Sequence, residues 1–139
     1  MTPLLRLPDA QSRLRRWIGS VAGRPMRPGE HDCCLFGAGA IEAQTGIDLA
    51  APFRGRYTTF AGGRRILRKA GYADHVALIA AHLPEAHPSQ AQVGDIVIVP
   101  GEGGPAVGVV QGAAAYVLTA SGRLGLVPLL PVQRLFRVG

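Results

Sequence analysis

Asp32-Cys33-Cys34-Leu35-Phe36-Gly37-Ala38-Gly39-Ala40-Ile41-Glu42-Ala43-Gln44-Thr45-Gly46 is the stretch that decides the fold of this chain. Asp32 is the kind of residue that caps a helix N-terminus, the run behind it is nearly free of charge, and Gly46 is a natural C-terminal stop. A helix that is apolar on most sides is a buried one. Gly37 and Gly39 predict that another backbone approaches it closely. This is the central helix of the domain, and the rest of the chain is arranged around it.

Upstream, Asp9 is placed as the N-cap of an amphipathic helix over roughly 10 to 22. Leu14, Trp17, Ile18 and Val21 recur there at helical spacing, and Arg13, Arg15 and Arg16 fall elsewhere. Gly23 and Pro25 end it, and Pro25 to His31 is a loop that delivers the chain to Asp32. Downstream, Pro52 to Tyr57 reads as an extended or turn segment. A helix over about 58 to 70 carries Arg64, Arg65, Arg68 and Lys69 and ends at Gly71, and a short helix is predicted over about 74 to 81. Leu83 to Gln92, with two prolines, is a connector.

After Val93-Gly94 the spacing becomes that of strands. Asp95 to Val99, Ala106 to Val110, Ala115 to Ala120, Leu124 to Pro128 and Arg134 to Val138 are predicted strands, with turns at 101–104 and at Ser121-Gly122. Helices first and an antiparallel meander second is the order of an α+β fold, not of alternating α/β. The prediction is one domain over residues 1–139, helical to about 92 and β from about 93.

With 139 residues and 47% apolar side chains, the chain can build a core without disulfides or metals. Aromatics are only 6%, so Ala, Val, Leu and Ile must supply most of that core. The only two cysteines are neighbours, a spacing that neither closes an ordinary disulfide nor makes a four-ligand metal site. Reduced thiols are expected, with no metal and no cofactor. The N-terminus carries no signal-type pattern, and no apolar run is long enough to span a membrane. Synthesis in the cytoplasm is expected.

Fourteen of the fifteen basic residues are Arg, and they are unevenly spread: residues 1–69 hold twelve basic and five acidic side chains, residues 70–139 three and four. Such a half suits nucleic acid, an acidic protein partner or an anionic envelope polymer. Solvated helix faces with a coding preference for Arg are the plainer account.

Asp32 as a cap places the Cys33 thiol in the first turn of the central helix, where unpaired N–H groups and the helix dipole favour a thiolate. That is a working position for a cysteine nucleophile, although cysteine also serves simply as a small core residue. A base is the missing part. His31 precedes Cys33 by two residues, so its ring falls near the thiol, while His75, His82 and His87 lie in the helical and connector region. None has the spacing of a dyad or ligand set, and each is expected as an exposed or hydrogen-bonded surface histidine. Gly101-Glu102-Gly103-Gly104 lacks the Lys-Ser/Thr and helix of a phosphate loop and reads as a hairpin turn. Asp95 reads as a turn or strand-start residue.

Order and motif together resemble the papain-like cysteine peptidases, specifically the NlpC-type branch that cleaves bacterial cell-wall peptides. There an Asp-Cys-Ser-Gly-like motif opens a helix, a Gly-Asp-Leu/Ile-Val strand follows, and a His-Val-Gly-Ile strand brings the base. Asp32-Cys33 is similar to the first, Val93-Gly94-Asp95-Ile96-Val97 to the second, and Ala106-Val107-Gly108-Val109 to the third with its histidine replaced. The likeness covers roughly residues 25 to 120. It is closest to small phage and prophage tail proteins related to that branch, in which Asp-Cys is followed by Leu-Phe and an Ala-rich helix.

The resemblance implies a papain-like domain: N-terminal helices on a small antiparallel sheet or half-barrel, with Cys33 facing the sheet. It places Cys33 at the vestigial nucleophile position, Asp32 at the helix cap and Ala106 where the base belongs. The orienting side chain would fall near Leu118, where only Thr119 is polar. Loss of base and partner costs several powers of ten in rate, so no catalytic residues are expected. The implied role is structural, a tail-tip or minor tail protein, made in the host cytoplasm and carried in the virion tail. Its partners would be hub and distal-tail proteins, with the cell wall a further contact. Arg54, Arg56, Arg64, Arg65 and Arg68 are the partner-binding candidates. The alternative is an active peptidase or amidase acting on cell-wall peptides during DNA entry, with Cys33 as nucleophile and a histidine from elsewhere. A nucleic-acid-binding module, motivated only by the arginines, ranks last.

Overall fold

A computed structural model describes residues 4–101, 104–119, 123–129 and 134–139. The predicted turns at Glu102-Gly103 and Ser121-Gly122, and Ala120 at the end of the third predicted strand, lie outside the described residues. The chain is a mixed α+β fold. Four α-helices come first: α1 (Ala10–Val21), α2 (Cys33–Thr45), α3 (Phe60–Lys69) and α4 (His75–Ala80).

Helix α2 forms as its sequence dictates. Asp32 sits in extended backbone and its side chain accepts from Leu35 N–H, and Gly46 closes the other end in the left-handed conformation at φ 81°. Nine of its thirteen residues are buried, Leu35 to Ile41 without a break. The two inner glycines admit side chains, where another backbone had been predicted. A Cβ on Gly37 would lie 2.5 Å from a Val107 methyl carbon, and one on Gly39 would meet the Trp17 indole at 2.2 Å. Helix α1 therefore lies against α2 through Trp17, whose Nε1 also donates to the Phe36 carbonyl.

Asp9 precedes α1 but does not cap it with its side chain. Its backbone, at φ −103° and ψ 26°, is outside the extended region from which capping side chains reach back. Helix α3 is capped by Thr59 and α4 by Asp74, which accepts from Ala77 N–H at 2.8 Å.

The sheet runs β1 (Glu85–Ala86), β2 (Ile96–Gly101), β3 (Gly104–Val110), β4 (Ala114–Leu118), β5 (Leu124–Pro128) and β6 (Arg134–Phe136), in the spatial order β1-β6-β2-β3-β4-β5. Every pairing is antiparallel, and the sheet does not close. The connector is more ordered than predicted. Within it β1 pairs with β6, Arg134 bonds Glu85 through both guanidinium and carboxylate arms (2.8 and 2.9 Å), and Pro88–Gln90 form a 3-10 turn. A strand of two residues is too short to show any periodicity.

The two faces of β2 go to two cores. Ile96 and Ile98 join Phe36, Ile41, Val107, Val109 and Phe136 beneath α1 and α2. Val97 and Val99 join Val117 and Leu135 on the opposite face, with Ala106 and Val127 packed against them. Helix α4 contributes to two clusters, since Val76 and Ile79 belong to the first core and Leu78 packs with Leu67 of α3 and with Phe53.

Candidate functional site

At the N-terminus of α2 a buried carboxylate organises three chain segments. Asp32, 2% exposed, accepts from Leu35 N–H at 2.9 Å, from Gly29 N–H at 3.0 Å and from the Tyr57 hydroxyl at 2.5 Å. Gly29 has φ 85° and would place a Cβ 1.9 Å from the Tyr57 carbonyl oxygen, so only glycine fits. Burial, with the Asp32 carboxylate adding to it, pushes the Tyr57 phenol up and keeps it a donor. Asp32 is thus a fully occupied structural anchor.

Cys33, half-buried, opens onto a cleft of about 740 Å³ walled by the start of α2, α3, α4 and the second face of the sheet. Val99, Ala106, Val117 and Val127 line its floor. Its position follows from the strand pattern. Successive residues of a strand turn their N–H and C=O groups to alternate edges. Val110 N–H bonds the Asp95 carbonyl before β2, and Gln111 N–H bonds the Ala114 carbonyl on β4, so odd-numbered residues of β3 face β4. The two strands are in register only from Gly108↔Val117 to Val110↔Ala115, which leaves a notch beside Pro105 and Val107. The Val107 N–H faces the Cys33 sulfur in that notch.

The thiol is not activated there. Burial pushes Cys33 up, and the Asp32 charge acts in the same direction, outweighing the N–H groups of Val107 and of the first helical turn. The expected gain from the helix N-terminus is therefore overridden by desolvation. The neighbouring Cys34 is pushed up to about 12, first by burial and then by the Asp32 and Cys33 charges. Both thiols are free.

Ala106 lines the same cleft and offers only a methyl group. An imidazole from α4 reaches the neighbouring residue: His75 Nε2 bonds the Pro105 carbonyl oxygen at 3.0 Å, and His75 also lines the cleft. A carbonyl oxygen only accepts, so Nε2 is the donor in this bond. His31 does not line the cleft. It is 1% exposed, packs edge-on to Phe36 and leaves Nε2 without a partner among the described residues, which corrects its expected surface placement. His82 bonds the Leu78 carbonyl and His87 the Ser89 hydroxyl. Thr119 lines the cleft too, but its hydroxyl donates to the Arg123 carbonyl at 2.7 Å within the β4–β5 hairpin.

The five arginines part company. Arg54 is held in a two-armed ion pair with Asp48 at 3.0 and 3.1 Å. Arg56 and Arg65 are exposed away from the cleft, and Arg64 and Arg68 are exposed on its wall. Tyr57 and His75 were not singled out as site residues from sequence. Tyr57 stood in an unpatterned turn 25 positions from Asp32, and His75 reaches β3 across 30 positions. No spacing signal links such pairs.

Asp95 lies at the far end of α2, as a turn and strand-start residue. It accepts from Gln92 N–H at 3.0 Å, Val138 N–H at 3.1 Å and Arg6 at 3.2 Å. Among the described residues no three His, Cys, Asp or Glu side chains are grouped to hold a metal ion, and no helix is long and apolar enough to cross a membrane.

No curated protein matches the chain. The family model described as a domain of unknown function (DUF6950) matches residues 5–138, nearly the whole sequence, and the chain belongs to that family.

Proposed function

We propose that this protein is a structural component of a bacteriophage or prophage tail, built on a papain-like domain of the NlpC type that no longer cuts peptides. The observation that carries the reading is the pairing of Cys33 with an empty base position: the sulfur faces Val107, and the adjoining Ala106 brings a methyl group to the cleft. A thiol held protonated by burial, with no imidazole at that position, lacks the proton acceptor that acyl transfer requires. The tail assignment rests on the sequence resemblance, and hub and distal-tail proteins are its proposed partners.

One observation favours a second reading, a thiol hydrolase acting on cell-wall peptides. His75 and Cys33 meet the same open edge of β3, at Pro105 and Val107. The nitrogen that reaches β3 is the protonated one, so His75 would have to leave Pro105 or work through Nδ1.

One experiment separates the two. Purified protein, Cys33→Ala and His75→Ala are incubated with muropeptides, and the encoding phage or prophage is complemented with Cys33→Ala. The structural reading expects no new amine ends from any of the three, and infectious virions at wild-type yield with the variant in the tail. Cleavage by the wild type that is lost in both variants would overturn it.

A further inference from the structure

We infer that the cleft beside Cys33 is a receptor for an extended, acidic peptide segment of a partner protein, gripped by the Phe60-Arg64-Arg68 stripe of α3. Positions four apart on a helix stand on one face, about 6 Å apart along the axis. Phe60, Arg64 and Arg68 are such positions and all three line the cleft. Phe60 is 54% exposed, a large apolar side chain at the mouth of an otherwise apolar floor.

The polar groups of the cleft are unequally committed. Asp32 accepts three hydrogen bonds, Asp74 caps α4, His75 bonds Pro105 and Thr119 bonds Arg123. Arg64 and Arg68 enter no hydrogen bond or ion pair with the described residues, whereas Arg54 and Arg134 are each held by a carboxylate. The unused capacity of the cleft is thus guanidinium donors, which favour carboxylates in two-armed geometry. A volume of about 740 Å³ lies within the usual range for ligand sites.

Those features select the ligand. In an extended peptide, residues two apart point the same way and are separated by about 6.8 Å. Two carboxylates at that spacing match the two arginines, while the alternate apolar side chains face Val99, Val117 and Val127. The partner's being a tail protein rests on the reading above. The site itself does not.

The test is binding of fluorescent peptides of alternating leucine and aspartate, leucine and asparagine, or leucine and lysine, followed by anisotropy at low and high salt. The aspartate peptide is expected to bind at least tenfold more tightly than the asparagine peptide, with salt weakening it. Arg64→Glu/Arg68→Glu should abolish that preference and admit the lysine peptide. Arg65→Glu, an equal charge change on the same helix outside the cleft, should leave it intact, with the thermal unfolding midpoint reporting that each variant is folded. Equal binding of aspartate and asparagine peptides, or equal effects of the cleft and control variants, would overturn the inference, as would a short DNA oligonucleotide displacing the peptide. A peptide that binds with the expected preference and is then cut would support the site and sink the structural reading, so the two fail separately.

Discussion

The two ends of α2 are built from similar materials and finished in opposite ways. At its C-terminal end Gln44 donates to the carbonyls of Ala40 and Gly94, and Asp95 ties Gln92, Val138 and Arg6 together. The packing there is close enough that a Cβ on Gly94 would fall 2.0 Å from the Gln44 side-chain oxygen. At its N-terminal end Asp32 is equally occupied, yet one residue on, Cys33 opens onto a cleft of about 740 Å³. A protein that could fill one end could fill the other. On the reading proposed above, the open end is where a partner segment would be held, and the filled end is what anchors the fold.

The sharpest way to break the comparison is at the filled end. Asp95→Ala removes a buried acceptor and leaves two backbone N–H groups and part of Arg6 without it. Leaving such groups unsatisfied costs about 3 kcal/mol. Urea unfolding should show a midpoint lowered accordingly with an unchanged slope. A loss below about 1 kcal/mol, the worth of an ordinary net hydrogen bond, would mean that the filled end is not the anchor described.

The same contrast explains what sequence could and could not reveal. Helix α2 was legible because everything that makes it is local: Asp32 in front, an uncharged run and Gly46 behind. Strands β2 and β3 were legible through Val-rich runs, and β4 and β5 through short apolar runs bounded by turn residues. The two-residue β1 was not, because its partner β6 lies some fifty positions away and two residues carry no period. At the site, the motif resemblance named Cys33 and Ala106, and both line the cleft. The hydroxyl of Tyr57 on Asp32 and the imidazole of His75 on Pro105 are long-range contacts made by turn and helix-end residues, and nothing in their spacing announces them. The influences on the Cys33 thiol divide in the same way. The helix N-terminus is a local property visible in sequence, whereas the burial that outweighs it is a property of the packed domain.

His31 gives a smaller, pH-dependent effect next to the open end. Burial lowers it from the usual histidine value, Arg24 adds to that, and Asp32 opposes it. The unfolded chain takes up a proton near pH 6.5 and the native protein takes it up only at lower pH. Stability should therefore be constant above about 6.5 as far as this group is concerned, and should fall as the pH drops from there toward the lowered native value. His31→Phe keeps an edge-on ring against Phe36 and removes the unpartnered Nε2. In urea unfolding at pH 5 and 7.5, the variant should lose less stability between the two than the wild type. An equal loss would place the acid sensitivity elsewhere.

The smallest effect is expected at the open end itself. Cys33→Ala deletes one sulfur that is half-buried and borders an existing cleft. The methyl that replaces it opens no enclosed cavity, since the space beside it is already open, so the change should stay within about 1 kcal/mol. The variant should also keep the thermal midpoint and aspartate-peptide binding of the wild type. A loss comparable to Asp95→Ala would mean that the thiol is a packing element after all. A change within about 1 kcal/mol at Cys33 beside a loss of about 3 kcal/mol at Asp95 would show that the fold is anchored from the filled end and that the open end carries no packing role, as the proposed peptide cleft requires.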